Sequence, residues 1–247
     1  MDRFSDKKAT LFVLAFLCLG LVAFFCFAML FTAAGYNTFS FSDAVNSPAS
    51  AKERPVIVID AGHGGEDPGA VIGNVREKDI NLAVSAYLGE LFESCGYKTV
   101  YTRTEDKMLY EAGQENRKKH FDLYNRVAIA SEYDNCILLS IHVNRFSSPK
   151  YSGLQVFFSD NDPQSGILAK HIQNRIRALQ PQNNRLSKNS GSSIYLLNKF
   201  DGIGVLIECG FISNDVEREK LCNDEYLRQL SLNIFVAVSE YINGEIK

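Results

Sequence analysis

Two histidines and two glutamates stand where apolar runs end or helical ones begin: His63, His142, Glu77 and Glu208. Two imidazoles and one carboxylate are a common donor set for a catalytic zinc ion, with the fourth tetrahedral position left to water. Zinc lowers the pKa of that water to about 7 and polarises a carbonyl, and a second carboxylate then moves protons. The expectation is a zinc hydrolase in which His63, Glu77 and His142 are the metal ligands and Glu208 is the catalytic carboxylate.

The elements that must position these groups follow from the same stretches. Pro55-Val56-Ile57-Val58-Ile59-Asp60 is a β-branched apolar run closed by Ala61-Gly62-His63-Gly64-Gly65, which reads as a buried strand and a tight turn. Cys136 to His142 and Ile203 to Glu208 are runs of the same kind, ending on an imidazole and on a carboxylate. From Arg76 to Phe92 the apolar residues Ile80, Val84, Tyr87, Leu88 and Leu91 recur at helical spacing, behind an acidic first turn that suits the positive end of a helix. In open parallel sheets the ends of the strands converge on one edge, where ligands bind. Taken singly, each residue has an ordinary explanation. A histidine after a glycine turn can be a loop residue, and a first-turn glutamate can serve only the helix dipole. Glu208 is harder to explain so, because a carboxylate at the end of a buried strand costs several kcal/mol unless compensated.

Further strands are expected over Tyr97–Arg103, Gly153–Ser159 and Ser193–Leu197, and helices over Asp122–Tyr133, Pro163–Leu179, Asp215–Cys222 and Tyr226–Ile242. Strands alternating with helices predict an α/β fold, a mostly parallel twisted sheet with helices on both faces and the metal site at the carboxyl ends of the strands. The roughly 195 residues from Pro55 onward suit one domain.

Residues 10–34 carry no charge, and a helix of that length spans roughly 37 Å, enough for a ~30 Å hydrocarbon core. Arg3, Lys7 and Lys8 precede it and no Lys or Arg follows until Lys52, which places the C-terminal part outside the cytoplasmic membrane. The expected organisation is a cytoplasmic N-terminus at 1–9, a membrane anchor or signal segment at 10–34, a tether at 35–54 and a catalytic domain at 55–247, anchored to the membrane or secreted. Leaving out Arg3, Lys7, Lys8, Asp2, Asp6 and Asp43, 23 basic and 26 acidic residues remain, a near-neutral balance that does not suggest nucleic-acid binding. Arg117-Lys118-Lys119-His120 reads as a solvated loop, with contact to an anionic polymer or partner as the sharper alternative. Cys95 and Cys136, at a helix end and a strand start, read as small buried hydrophobes.

Six blocks tie the chain to a family. Val58-Ile59-Asp60-Ala61-Gly62-His63-Gly64-Gly65-Glu66-Asp67-Pro68-Gly69-Ala70, Glu77-Lys78-Asp79-Ile80-Asn81-Leu82, Thr102-Arg103-Thr104, Asp122-Leu123-Tyr124-Asn125-Arg126, Ser140-Ile141-His142-Val143-Asn144 and Glu208-Cys209-Gly210-Phe211-Ile212-Ser213-Asn214 occur in family order. From Pro55 to Asn243 the chain resembles the zinc-dependent N-acetylmuramoyl-L-alanine amidases of bacterial cell-wall turnover. The resemblance implies zinc on His63, Glu77 and His142, Glu208 as the catalytic glutamate, and peptidoglycan as substrate, cut at the amide between N-acetylmuramic acid and the L-alanine of the stem peptide. The single catalytic domain and Tyr195-Leu196-Leu197 look most like the spore-cortex type, whose product a deacetylase converts to muramic-δ-lactam. The chain departs from the family at Asp201-Gly202-Ile203-Gly204, where a proline is usual, and at Cys209.

Two other readings remain at this stage. Cys209 could act as a nucleophile with His142 as base, or the domain could be a wall-binding module without catalysis. Gly202 and Gly204 also suggest a mobile edge strand, and with it dependence on an activating protein partner.

Overall fold

The computed structural model describes residues 54–245. The expected anchor and most of the tether lie outside the described residues, and among the described residues no helix is long and apolar enough to cross a membrane.

A six-stranded sheet forms the middle layer. In chain order its strands are β1 (Val56–Ala61), β4 (Thr99–Tyr101), β5 (Cys136–Asn144), β6 (Gln155–Phe158), β7 (Lys188–Asn189) and β8 (Ile203–Phe211), while β2 (Val71–Ile72) and β3 (Val75–Arg76) form a separate small hairpin. The order across the sheet is β4-β1-β5-β8-β6-β7. β4, β1, β5 and β8 are mutually parallel and β6 runs antiparallel to β8. The helices are α1 (Glu77–Ser94), α2 (Lys118–Ala130), α3 (Pro163–Arg175), α4 (Tyr195–Lys199), α5 (Asp215–Leu221) and α6 (Asp224–Ile242). The expected α/β fold, mostly parallel with both faces covered, is the one observed.

Strand periodicity sorts the side chains. Ile57, Ile59, Ile137, Leu139, Ile141, Val205, Ile207 and Cys209 face a large core with Leu88 and Phe92 of α1, Leu168 and Ile172 of α3, and Leu230 and Ile234 of α6. The alternate residues Val58 and Leu138 face a smaller cluster with Ala130 of α2 and with Leu196 and Phe200 in and after α4. Successive residues of a strand point to opposite faces, so Asp60, Ser140, His142 and Glu208 share the register of this second face. Each large apolar side chain removed from water contributes roughly 1.5–3 kcal/mol, which makes the larger cluster the main anchor of the sheet.

Four expectations are corrected. Ser193–Leu197 is not a strand; its end lies in the short helix α4. Leu196 and Phe200, one helical turn apart, are both buried against α2, and the sheet edge that a strand would need is taken by β6 and β7. β8 is no mobile edge but lies between β5 and β6. Its glycines make room for an aromatic ring: a Cβ on Gly202 or Gly204 would come within 2.7 or 3.1 Å of the Phe200 side chain. The basic cluster is not a loop, since Lys118, Lys119 and His120 form the first turn of α2. Cys95 is exposed, although Cys136 is buried as expected.

Candidate metal centre

The chain leaves β1 for β4 on one side and, after α2, returns past β1 to β5 on the other. The loops beyond β1 and β5 part at this switch point, where open α/β sheets bind ligands. Asp60 and Ala61 of β1 pair in register with Ser140 and Ile141 of β5, and His142 pairs with Glu208 of β8. His63 follows β1 by two residues, and Glu77 is the first residue of α1.

The three expected ligand side chains converge: one donor atom from each of His63, Glu77 and His142 lies within 4.8 Å of the others. Glu77 Oε1 is 3.2 Å from His63 Nε2 and 3.0 Å from His142 Nδ1. Ligand atoms of a tetrahedral zinc with bonds of 2.0–2.2 Å lie roughly 3.3 Å apart, so this donor set fits the ion. His63 Nδ1 donates to Asp67 Oδ2 at 2.9 Å, leaving Nε2 to face Glu77. Such a carboxylate behind a ligating imidazole fixes its tautomer and ring plane. Glu77 is held as firmly, its Oε2 accepting from Ala70 N–H at 2.7 Å and its Oε1 from Val143 N–H at 3.1 Å.

Charge is shared among these groups. Burial disfavours a charged His63 ring, but the hydrogen bonds to Asp67 and Glu77 outweigh it and raise its pKa to about 9. Burial likewise opposes ionisation of Glu77, yet the bonds to His142 and His63 hold it well below the usual carboxylate range. The bond from His63 keeps Asp67 ionised in the same way. Glu208 differs. Burial, only partly offset by His142, pushes its pKa up to about 7. Its Oε2 is buried with no hydrogen-bond partner among the described residues. Glu208 stands outside the three-residue donor group, one strand from His142 and opposite Gln155 of β6.

A layer of buried arginines holds the loop that carries His63. Arg126 engages Asp60 Oδ1 at 2.6 Å and both oxygens of Asp122, and its remaining N–H groups donate to the carbonyls of Ala61 and His63. Arg103 donates to the carbonyls of Ala61, Gly62, Lys78 and Glu105. Asp60 also accepts from Thr102 and Ser140, and Arg126 keeps it ionised against the effect of burial. These carbonyl contacts pin a backbone turn in which His63 has φ 61°, the one positive φ at a non-glycine position among the described residues. That conformation is unfavourable for an L-residue unless its surroundings enforce it. Two glycines let the rings close in. A Cβ on Gly62 would lie 2.3 Å from the His142 ring, and one on Gly69, at φ +66°, would lie 2.6 Å from Glu77 Oε2.

Arg103 and Arg126 enter the sequence reading only as members of the motif blocks; both are buried structural clamps. The signal was present in Thr102-Arg103 and Asp122 to Arg126, because charged residues buried in full must be paired. Cys209 cannot be the nucleophile. It is 0% exposed and faces the large core, away from the His142 register, and burial raises its thiol pKa far above the ordinary range.

Residues 57–240 match the family model described as N-acetylmuramoyl-L-alanine amidase. The chain belongs to this amidase family. It is 33% identical over 196 residues to the germination-specific N-acetylmuramoyl-L-alanine amidase of Bacillus subtilis (strain 168), an alignment covering 78% of this chain and 81% of that one. Among solved structures it is similar to the CwlD amidase from Clostridioides difficile, solved in complex with the GerS lipoprotein, with TM-score 0.74, 37% identity and coverage of 77% of this chain and 99% of that one. AmiC2 of Nostoc punctiforme follows, with TM-score 0.61, 30% identity and coverage of 76% and 97%. The chain is therefore an N-acetylmuramoyl-L-alanine amidase acting on peptidoglycan, a reading that also displaces the non-catalytic wall-binding module.

Proposed function

We propose that this amidase uses zinc held by His63, Glu77 and His142, with Glu208 as its proton-transfer group, and works on the spore cortex. The observation that carries the site assignment is the pairing of a converged His-Glu-His donor set with a neighbouring carboxylate whose Oε2 is buried and without a partner among the described residues. When bound, zinc supplies Lewis-acid polarisation of the substrate carbonyl and acidification of water. The protein's own part is to orient and to move a proton. Asp67 and the Glu77 contacts hold the donor atoms in place. Glu208, with a pKa near 7, is poised to accept a proton as a nucleophile forms and to return it to the leaving L-alanine nitrogen.

The cortex assignment is supported by the likeness to the germination-specific relative and to CwlD. On this reading the product feeds muramic-δ-lactam formation, and the domain lies outside the cytoplasmic membrane behind residues 10–34. A lipoprotein-like activating partner belongs to the same proposal, supported by the CwlD complex with GerS; full activity of the lone, zinc-loaded chain would count against it. The test of the chemistry is metal analysis with mass spectrometry of the products from purified peptidoglycan. Stoichiometric zinc and stem peptides with a free L-alanine amine are expected, and Glu208→Gln is expected to keep the zinc and release no peptide. Hydrolysis by Glu208→Gln at the wild-type rate would overturn the assignment of Glu208.

A further inference from the structure

Lys78 follows Glu77 and lies in the first turn of α1, where the helix dipole disfavours a cation. Its side chain is buried, and a buried ammonium is costly unless it is paired. Two acceptors hold it, the Gly65 carbonyl and Asp106 Oδ2, each at 2.7 Å. Asp106 Oδ1 accepts from the Gly65 N–H, also at 2.7 Å. Both polar groups of the Gly65 backbone are thus engaged by this one pair. Gly65 belongs to a turn closed by hydrogen bonds from Gly64 N–H to Asp67 O at 2.9 Å and from Asp67 N–H to Gly64 O at 3.0 Å. That turn delivers the Asp67 carboxylate to the His63 ring. The segment bearing Asp106 is fixed at both ends, by Arg103 on the carbonyls of Ala61, Gly62 and Lys78 and by Asp122 on the Leu109 N–H. It runs so close to the turn that a Cβ on Gly64 would overlap the Lys107 carbonyl oxygen.

We propose that Asp106 is a positioning residue of the metal centre: with Lys78 it locks the Gly64–Asp67 turn to the start of α1 and so sets the spacing of His63 and Glu77. The inference rests on the zinc-site reading given above. Gly65 stands two residues beyond His63 and Lys78 one beyond Glu77, so the pair ties the two ligand-bearing segments together next to their donors. Arg126 fixes the chain up to the His63 carbonyl; Asp106 and Lys78 fix it beyond. Loss of the Asp106 carboxylate leaves the Gly65 N–H without its acceptor and the Lys78 ammonium buried without a counter-charge. Both changes fall within two residues of a ligand. Because Arg103 and Asp122 still hold the segment, the effect falls on ligand spacing more than on the fold.

The test uses the full chain and two readouts, zinc affinity in competition with a chromophoric chelator and the visible absorption of cobalt(II) bound in place of zinc, which reports coordination geometry. Asp106→Ala should weaken zinc binding by about 10- to 100-fold, the usual effect of removing an outer support of a ligand, and should alter the cobalt spectrum. Lys78→Met should do the same, and the double variant should lose no more than Asp106→Ala alone, because the two side chains act as one link. Asp106→Asn keeps an acceptor for Gly65 but no charge for Lys78, and should fall between wild type and Asp106→Ala. Glu105→Gln, one residue away and paired with Lys107 at the surface, should match the wild type in both readouts. If Asp106→Ala does not fold, Asp106→Asn and Lys78→Met carry the same comparison. Zinc affinity of the Asp106 variants within about twofold of wild type with an unchanged cobalt spectrum overturns the inference, as does an equal loss in Glu105→Gln. A wild-type chain that takes up no zinc overturns the site reading itself, and the inference with it.

Discussion

Replacing Glu208 by glutamine should stabilise the metal-free protein, and only above a particular pH. Burial raises the Glu208 pKa from 4.5 to about 7. Between those values the unfolded chain has lost a proton that the folded chain still holds, so stability falls as pH rises through this interval and levels off above it. At 1.36 kcal/mol per unit, the cost of keeping Glu208 at high pH is about 3 kcal/mol. Glutamine has the same shape and cannot titrate. Urea denaturation of chelator-treated wild type and Glu208→Gln at pH 4 and pH 8.5 isolates the effect, because His63, Glu77 and the remaining groups are common to both. The stability difference between the two proteins should shift toward the variant by about 3 kcal/mol across that range. A difference that stays flat within roughly 0.5 kcal/mol, or one that moves toward the wild type, would refute the claim that this carboxylate is held at a desolvation cost. The same variant should have lost hydrolysis, the expected relation between a strained functional group and stability.

Other outcomes follow from the same geometry. Zinc must displace the proton that His63 keeps up to about pH 9, so zinc affinity in a competition with a chromophoric chelator should rise about tenfold per pH unit between 7 and 9 and flatten beyond. Gly69→Ala forces a Cβ to 2.6 Å from Glu77 Oε2 at a positive φ; it should reduce zinc affinity by at least about tenfold in the same titration and destabilise the fold by about 1–2 kcal/mol in denaturant melts. Arg126→Met strands two buried carboxylates, Asp60 and Asp122, and should cost about 3–5 kcal/mol, visible as a lowered denaturation midpoint with unchanged slope.

The local pattern carried much of this protein. Apolar runs ending on His142 and Glu208 and the helical spacing after Glu77 are direct records of which faces are buried, and period two in a strand requires neighbours to point apart. Read strictly, that rule already sends Cys209 to the face opposite Glu208 and argues against a thiol nucleophile. The six motif blocks marked the family. Short elements were less legible: Leu196 and Phe200 suit a helix turn as well as the end of a strand, and only the occupied sheet edge separates the two. The position of β8 inside the sheet, the antiparallel entry of β6 and the left-handed turn at His63 depend on strand order and on contacts between residues 25–67 positions apart. The clamp of Arg103 and Arg126 on the carbonyls of residues 61–63 is of that kind. Periodicity records burial, which is a property of each segment alone; the closing of two rings and a carboxylate to zinc-ligand spacing is a property of segments meeting, and tertiary packing alone determines it.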